Sequence, residues 1–336
     1  MELAQRIDLF SALGRRIVSM SSSEMTQLCA RVYNENNWFT AENISLAFQG
    51  IARFLQKESL SEWVSHYNFK NVKPKKVGVV MTGNIPLVGF HDILSIVISG
   101  HILAVKTSSS DDVLIRWIIN ELSELEPGIK TKIGFADRLN DVDAIIATGS
   151  NNSARYFEYY FSKIPHIIRK NRSSCAVLTG CESDDQLNAL GNDIFSYYGL
   201  GCRNVSKIFT PQGYELPNLL NHFESFKGVI DHHKYNNNYD YNKSIYLVNK
   251  EPHLDTGFLL VRQTTEIVSP ISVLFYEHYD SQQALGQMLE LQKDNIQCVV
   301  GNGSICNVDF GQTQCPGLDE YADGVDTVKF LTELDN

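Results

Sequence analysis

Three short β-branched runs, Val77–Met81, Ile102–Lys106 and Asp143–Thr148, are each followed by a polar turn and then by a segment with an apolar helical stripe. Strand, turn and helix in repeated alternation predict a parallel sheet, because a parallel pair needs a crossover and a helix is the usual one. The helix-like segments are Phe90–Ile98, 113–125 and a stretch through Phe161. Together these features predict a nucleotide-binding style of α/β domain.

The residues before this alternation read as helices. Leu3, Ile7, Phe10, Leu13 and Ile17 share one face at helical spacing, and Ile44, Phe48, Ile51 and Leu55 do the same after Thr40. Ser21 followed by Glu24 is a capping-box signal between them. The basic, proline-broken stretch Lys70–Lys76 marks the end of this lead. A second α/β unit is expected from about Ser174, with strands near 176–179, 205–209, 244–248, 258–261, 271–275 and 297–300. Ser183 and Gln186 cap a helix within it, and another helix is expected over 282–291. The polar, Asn- and Tyr-rich stretch 231–243 reads as a loop or projecting arm. The division expected is a helical lead over 1–72, a cofactor domain over 73–172, a catalytic domain over 173–310 and a returning segment over 311–336.

Composition narrows the partners. With 29 Lys and Arg against 39 Asp and Glu, the net charge is −10, which speaks against a nucleic-acid surface. Seven cysteines with no C-x-x-C pair form neither a disulfide framework nor a zinc pattern, so no metal site is expected. The opening MELAQRIDLF is not a signal peptide, and no apolar stretch approaches a membrane span. A cytoplasmic protein with reduced thiols is the expectation.

Cys202 is the most informative thiol. It lies in Tyr198-Gly199-Leu200-Gly201-Cys202-Arg203-Asn204, between a capped helix and a strand, where glycines let the chain bend and a ligand approach. Around it the chain resembles the aldehyde dehydrogenase superfamily, and within that the acyl-CoA reductases of bacterial luminescence. Gly199-Leu200-Gly201-Cys202 resembles the superfamily's Gly-Gln-x-Cys nucleophile motif. The segment from Gly78 to Asn84-Ile85-Pro86 is similar to the one ending Asn-Phe-Pro. Lys106-Thr107-Ser108-Ser109 resembles Lys-Pro-Ser-Glu, Ala147-Thr148-Gly149-Ser150 resembles Phe-Thr-Gly-Ser, and Glu266-Ile267-Val268-Ser269-Pro270-Ile271 resembles Glu-Ile-Phe-Gly-Pro-Val. The five occur in family order over roughly residues 75 to 335.

The resemblance implies an aldehyde dehydrogenase-like fold of two parallel-sheet α/β domains with a helical lead. It makes Cys202 the nucleophile, and it makes the Asn84 amide and the Cys202 N–H the donors for the oxyanion that thiolate attack creates. On local grounds Asn84 is equally a turn residue before Pro86. Lys106, Ser109, Thr148, Gly149, Ser150 and Glu266 are the implied cofactor contacts, Ser150 also reading as a plain N-cap. Ser109 stands where many NAD-dependent members carry a glutamate, which favours NADPH over NADH, with Asp111 and Asp112 nearby acting against it. The superfamily's Glu-Leu-Gly-Gly is matched by Ile168-Arg169-Lys170-Asn171, without the glutamate that activates water for hydrolysis.

The function expected is reduction of a fatty acyl-CoA, or of an acyl-carrier thioester, to the aldehyde by a homo-oligomer. The alternatives are an aldehyde dehydrogenase working oxidatively and a degenerate nucleotide-binding or assembly protein. Arg169, Lys170 and Arg172 are a candidate cluster for the CoA phosphates. His91 and His101 read as structural or as lining the site, His232 and His233 as loop residues, and Cys298 as strand core. Phe195, Tyr197 and Tyr198 read as helix packing or as the wall of an acyl tunnel.

Overall fold

The computed structural model describes residues 1–334. The chain divides into two compact units, Met1–Asn171 with Gly317–Asn336, and Arg172–Pro316.

The first unit opens with α1 (Leu3–Val18), α2 (Ser22–Glu35), α3 (Ala41–Phe54) and α4 (Lys57–Ser65). Ser21 and Thr40 accept from the N–H groups of Glu24 and Asn43, which fixes the starts of α2 and α3. Then follow β1 (Lys76–Val80), α5 (Phe90–Ile98), β2 (Ile102–Lys106), α6 (Asp112–Leu125), β3 (Ile133–Phe135), β4 (Ala144–Thr148), α7 (Asn151–Phe161) and β5 (His166–Arg169). The strands form a parallel sheet in the order β3-β2-β1-β4-β5. Its central strands are apolar on both faces, as crossover helices require. Val77, Val79, Leu103, Val105 and Ile146 join one large core with α5, α6 and the lead. Ala104, Ile145 and Ala147 pack on the other face with Leu139 and Val142. The lead shares its core with the sheet, and so does a short C-terminal helix, Thr327–Thr332.

Two histidines seat that C-terminal segment. His101 Nδ1 accepts the Lys75 N–H at 3.1 Å and its Nε2 meets Leu331 O at 2.9 Å, which fixes a neutral tautomer. His91 Nε2 meets Leu318 O at 2.9 Å, and burial pushes its pKa down. Both are structural.

The second unit contains β6 (Ser173–Val177), α8 (Asp184–Phe195), β7 (Val205–Pro211), α9 (Leu216–Asn221), α10 (His233–Asn249), β8 (Leu254–Asp255), β9 (Leu260–Gln263), β10 (Val273–Tyr279), α11 (Gln282–Gln292) and β11 (Ile296–Gly301). The sheet order is β11-β6-β7-β10-β9-β8, parallel except for the β8–β9 edge pair. Ser183 and Gln186 form the capping box expected at α8. Two expectations fail together here. Residues 231–243 are not a loop and 244–248 are not a strand, since both fall largely within α10. Tyr235, Tyr239, Asn242 and Tyr246 form its buried face, and Asn242 Nδ2 donates to Ile271 O at 3.0 Å. Among the described residues no helix is long and apolar enough to cross a membrane.

Candidate active site

The first unit gathers Asn84, Lys106, Ser109, Thr148, Gly149 and Ser150 at the carboxyl ends of β1, β2 and β4, the edge where open parallel sheets take ligands. Past β1, the Thr82 hydroxyl donates to Asn84 Oδ1 at 2.9 Å, turning the amide so that its Nδ2 edge faces away from Thr82. Asn36 Nδ2 donates to Gly83 O at 3.3 Å and to Ser110 O at 3.2 Å, joining this loop to the turn after β2. Beyond Pro86, Leu87 sits at a φ of 58°, unusual for a branched residue. Its N–H is held at 2.7 Å by Asp111, whose burial pushes the carboxyl well above the ordinary range. Asp112 is engaged by Thr107 and Arg116. The two acidic residues that weighed against a phosphorylated cofactor are therefore committed within the unit.

At the end of β4 the Ser150 side chain accepts the Ser153 N–H at 3.2 Å and caps α7. Gly149 is a close-approach position: a Cβ there would lie 2.8 Å from Ser153 Cβ and 3.0 Å from Phe157. Lys106 and Ser109 are exposed. A cleft of about 500 Å³ opens beside Lys106, between α7 and the β3–β4 connection.

In the second unit Cys202 precedes β7 in a tightly held loop. Tyr197, Tyr198 and Gly199 lie at φ of 51°, 57° and 78°, three left-handed residues in succession. Two are not glycine, a strain of about 1 kcal/mol each that persists only where the surroundings impose it. Asn204 imposes it here. Its Oδ1 accepts the Gly201 N–H at 2.8 Å, and its Nδ2 donates to Asp193 O at 3.1 Å and Ser196 O at 2.8 Å, near the C-terminal end of α8. Ser174 Oγ donates to Cys202 O at 3.1 Å while accepting the Cys298 N–H at 3.1 Å. Arg203, next to the thiol in sequence, points its Nε at Thr313 O, 2.5 Å away. The same 311–313 turn is gripped by Asp193, which accepts the Gly311 and Thr313 N–H groups at 2.7 and 3.1 Å.

Glu266 is exposed, on the segment between β9 and β10. Ser206 Oγ donates to Ile267 O at 2.7 Å and Lys207 Nζ to Thr264 O at 3.0 Å, so this segment lies against the start of β7, just past Cys202. Lys207 is fully buried, pairs with Glu277, and has its pKa lowered by burial. Four of the other six thiols are less suited to attack. Cys29, Cys175 and Cys298 are buried, and burial pushes the Cys306 thiol up to about 11.

The cluster suggested for CoA phosphates does not form. Arg169 is buried, its Nη1 donating to both carboxylate oxygens of Asp92 at 2.8 and 2.6 Å and its Nη2 to Thr327 Oγ1 at 2.9 Å. Lys170 pairs with Glu158 at 3.0 Å, and Arg172 donates to Ile296 O at 3.2 Å. Thr82, Ser174, Asn204, Ser206 and Lys207 were not singled out from sequence. Only Lys207 carries a signal, a lysine inside an otherwise largely apolar strand.

No curated protein sequence matches the chain. Among solved structures, a variant of aldehyde dehydrogenase C from Pseudomonas syringae, complexed with NAD+ and octanal, superposes with a TM-score of 0.64 at 12% identity, over 90% of this chain and 73% of that one. An aldehyde dehydrogenase from Bacillus cereus in complex with NAD+ gives 0.62 at 13%, over 89% and 72%. One from Mycobacterium tuberculosis, also complexed with NAD+, gives 0.63 at 12%, over 89% and 73%. At these identities the likeness establishes the fold. The family model for acyl-CoA reductase (LuxC) matches residues 49–216, a span holding both the Asn84 loop and the Cys202 turn. With that match over half its length and the aldehyde dehydrogenase fold around it, the chain belongs to the LuxC acyl-CoA reductase family.

Proposed function

We infer that the chain reduces a fatty acyl-CoA to the aldehyde with NADPH, by way of a thioester on Cys202. The observation that carries this reading is the Cys202 turn, a nucleophile motif whose carbonyl, flanking amide and strained approach are all fixed by buried partners. The Cys202 thiolate attacks the acyl carbonyl carbon. The bond between that carbon and the CoA sulfur then breaks, CoA leaves as thiolate and takes up a proton, and the acyl group stays on Cys202. The charge on the carbonyl oxygen falls to the Cys202 N–H, and the Asn84 amide, which Thr82 orients within the first unit, is the second donor that the resemblance implies.

The carboxyl edge of the first sheet fits a dinucleotide: an open cleft beside Lys106, a neutral Ser109 and the capped N-terminus of α7. When bound, NADPH would supply the hydride that brings the acyl carbon to the aldehyde level; the bond from that carbon to the Cys202 sulfur then breaks, which frees the aldehyde and returns the Cys202 thiolate. Lys106, Ser109, Thr148, Gly149 and Ser150 are the contacts inferred for it in the first unit, and Glu266 is the further contact that the resemblance implies. No carboxylate occupies 168–171 to activate water, so the thioester is kept for reduction.

Purified protein is mixed with tetradecanoyl-CoA and NADPH, and loss of nicotinamide absorbance and appearance of aldehyde are followed. Turnover of no acyl-CoA at any chain length would sink the reading. Radiolabelled acyl-CoA without NADPH should leave label on the wild type and none on Cys202→Ala.

A further inference from the structure

Asp111 occupies the N-cap position of α6 and does not cap it. An aspartate there ordinarily accepts an N–H from the first turn of its own helix. In this chain the N–H groups of Asp112 and Val113 are accepted instead by the Glu35 side chain, at 3.2 and 3.1 Å, from the last residue of α2. With the cap supplied from elsewhere, Asp111 turns its Oδ2 to the Leu87 N–H, 2.7 Å away and 24 residues earlier in the chain. Local preference opposes each part of this arrangement. Asp111 is 2% exposed, its Oδ1 has no hydrogen-bond partner among the described residues, and the charged groups that act on it, Glu35 and Asp112, are both acidic. Leu87, the residue it holds, is itself buried at a φ of 58°, a region that branched residues avoid. A buried acid, a forgone cap and a left-handed leucine persist together only where the surroundings over-determine one geometry, and such places cluster at functional sites.

The geometry so determined is the path of residues 82–87. Before Asn84, Asn36 Nδ2 donates to Gly83 O and to Ser110 O, which ties this loop to the turn after β2. The two backbones are in close approach there: a Cβ on Gly83 would lie 2.7 Å from Ser110 Cβ and 2.9 Å from Ser108 Oγ. After Asn84, Leu87 is held by Asp111 and leads the chain into α5, its carbonyl accepting the Phe90 N–H at 2.9 Å. Asn84 is thus carried on a short span that is fixed at both ends to the turn after β2, with the Thr82 hydroxyl on its amide oxygen. We propose that Asp111 is a positioning residue for Asn84, holding Leu87 so that the Asn84 amide keeps one position through the reaction. The proposal rests on the functional reading above in that Asn84 is an oxyanion donor; the clamp on the loop stands apart from that reading.

The test is a double-mutant cycle on the whole chain, assayed with tetradecanoyl-CoA and NADPH and joined to hydrogen exchange of each variant. Asp111→Ala should lower kcat about tenfold and leave KM within about twofold, since a displaced donor is felt in the transition state rather than in binding. Asp111→Asn keeps an oxygen for the Leu87 N–H and should restore kcat to within about threefold. Asn84→Ala should lower kcat about a hundredfold, the cost of one oxyanion donor. Adding Asp111→Ala to it should lower kcat by no more than about twofold further, because the donor that Asp111 positions is already gone. A residue that only supported the fold would cost the same factor in both backgrounds. In Asp111→Ala the Leu87 amide should exchange about tenfold faster, while the first turn of α6, which Glu35 caps, should exchange as in the wild type. Equal losses in the two backgrounds, an undiminished kcat in Asp111→Ala, no rescue by asparagine, or unchanged exchange at Leu87 would each overturn the proposal. A wild type that reduces acyl-CoA and shows equal losses keeps the reductase reading and loses this one. A wild type that reduces none loses the reductase reading, and the clamp then stands or falls on the exchange at Leu87.

Discussion

Replacing Asn204 with alanine should remove the device that holds the Cys202 turn. Asn204 is buried and satisfies the Gly201 N–H and the carbonyls of Asp193 and Ser196 through three hydrogen bonds of 2.8 to 3.1 Å. A buried backbone group left without a partner costs about 1–3 kcal/mol. Gly201 and Asp193 are themselves buried, so two such penalties apply in full, less whatever the loop recovers by relaxing. A net loss of about 3 kcal/mol is the expectation, or about 4 °C in Tm for a chain of 336 residues unfolding as a whole. The left-handed strain at Tyr197 and Tyr198 would be released at the same time, so the turn should open as well as weaken. All three tryptophans, Trp38, Trp63 and Trp117, belong to the first unit, so their fluorescence is the wrong probe. Hydrogen exchange followed by mass spectrometry is the right one. The Gly201–Asn204 amides should exchange about a hundredfold faster, which is what 3 kcal/mol corresponds to. Asn204→Asp should do no better than alanine, because it keeps the acceptor but sets an anion against two carbonyls. A loss under about 0.5 kcal/mol with unchanged exchange, the size of an ordinary surface substitution, would refute the account of the turn.

Three further outcomes are expected. Arg169→Met strands the buried Asp92 carboxylate and should cost about 3–5 kcal/mol in urea unfolding followed by tryptophan fluorescence, with Asp92→Leu in the same chain recovering most of it; a single-variant loss below about 1 kcal/mol would contradict the role given to the pair. Asp111 has a folded pKa raised above its ordinary value of 3.8, so its contribution is full below that pH and is lost as pH climbs to the folded value. Asp111→Asn, which keeps an acceptor for the Leu87 N–H, should flatten that decline in urea titrations at several pH values, and an unchanged slope would argue against the buried carboxyl. Thr82→Val should lower kcat about tenfold with little change in KM, by freeing the Asn84 amide, and Thr82→Ser should restore it.

The parts of the fold legible in the sequence are those decided locally. Ser21, Thr40, Ser150 and Ser183 each cap the helix that follows, because a cap needs only a side chain and an amide two or three residues on. The α10 helix was missed because its buried stripe is written in tyrosine and asparagine. Tyr235, Tyr239, Asn242 and Tyr246 recur at helical spacing, but polar tips hide the stripe from a reading based on apolar residues. The glycine-framed Cys202 could be picked out from the chain alone. Asn204 could not, since its partners are the end of α8 and the glycine before Cys202. Nor could the cleft beside Lys106, whose walls come from α7 and the β3–β4 connection and meet only once the sheet is built.

The stretch 168–171 shows how a departure from the superfamily pattern is built into the fold. Hydrolytic members, by the resemblance, carry a glutamate there that activates water. In this chain Arg169 turns inward from β5 to pair through Nη1 with Asp92 on α5 and through Nη2 with Thr327, where the C-terminal helix begins. Three segments far apart in sequence are thereby tied by one guanidinium, which serves Asp92 with Nη1 and Thr327 with Nη2, two directions that a single ammonium on a flexible stem would not hold apart in this way. Arg169→Glu would not restore a hydrolytic base. It would bury a second carboxylate against Asp92, with no cation left to offset either, and the cost of an unpaired buried charge is enough to threaten the whole unit. Arg169 is thus occupied with holding the C-terminal segment, and a hydrolytic base at its position would require that segment to be held by other means.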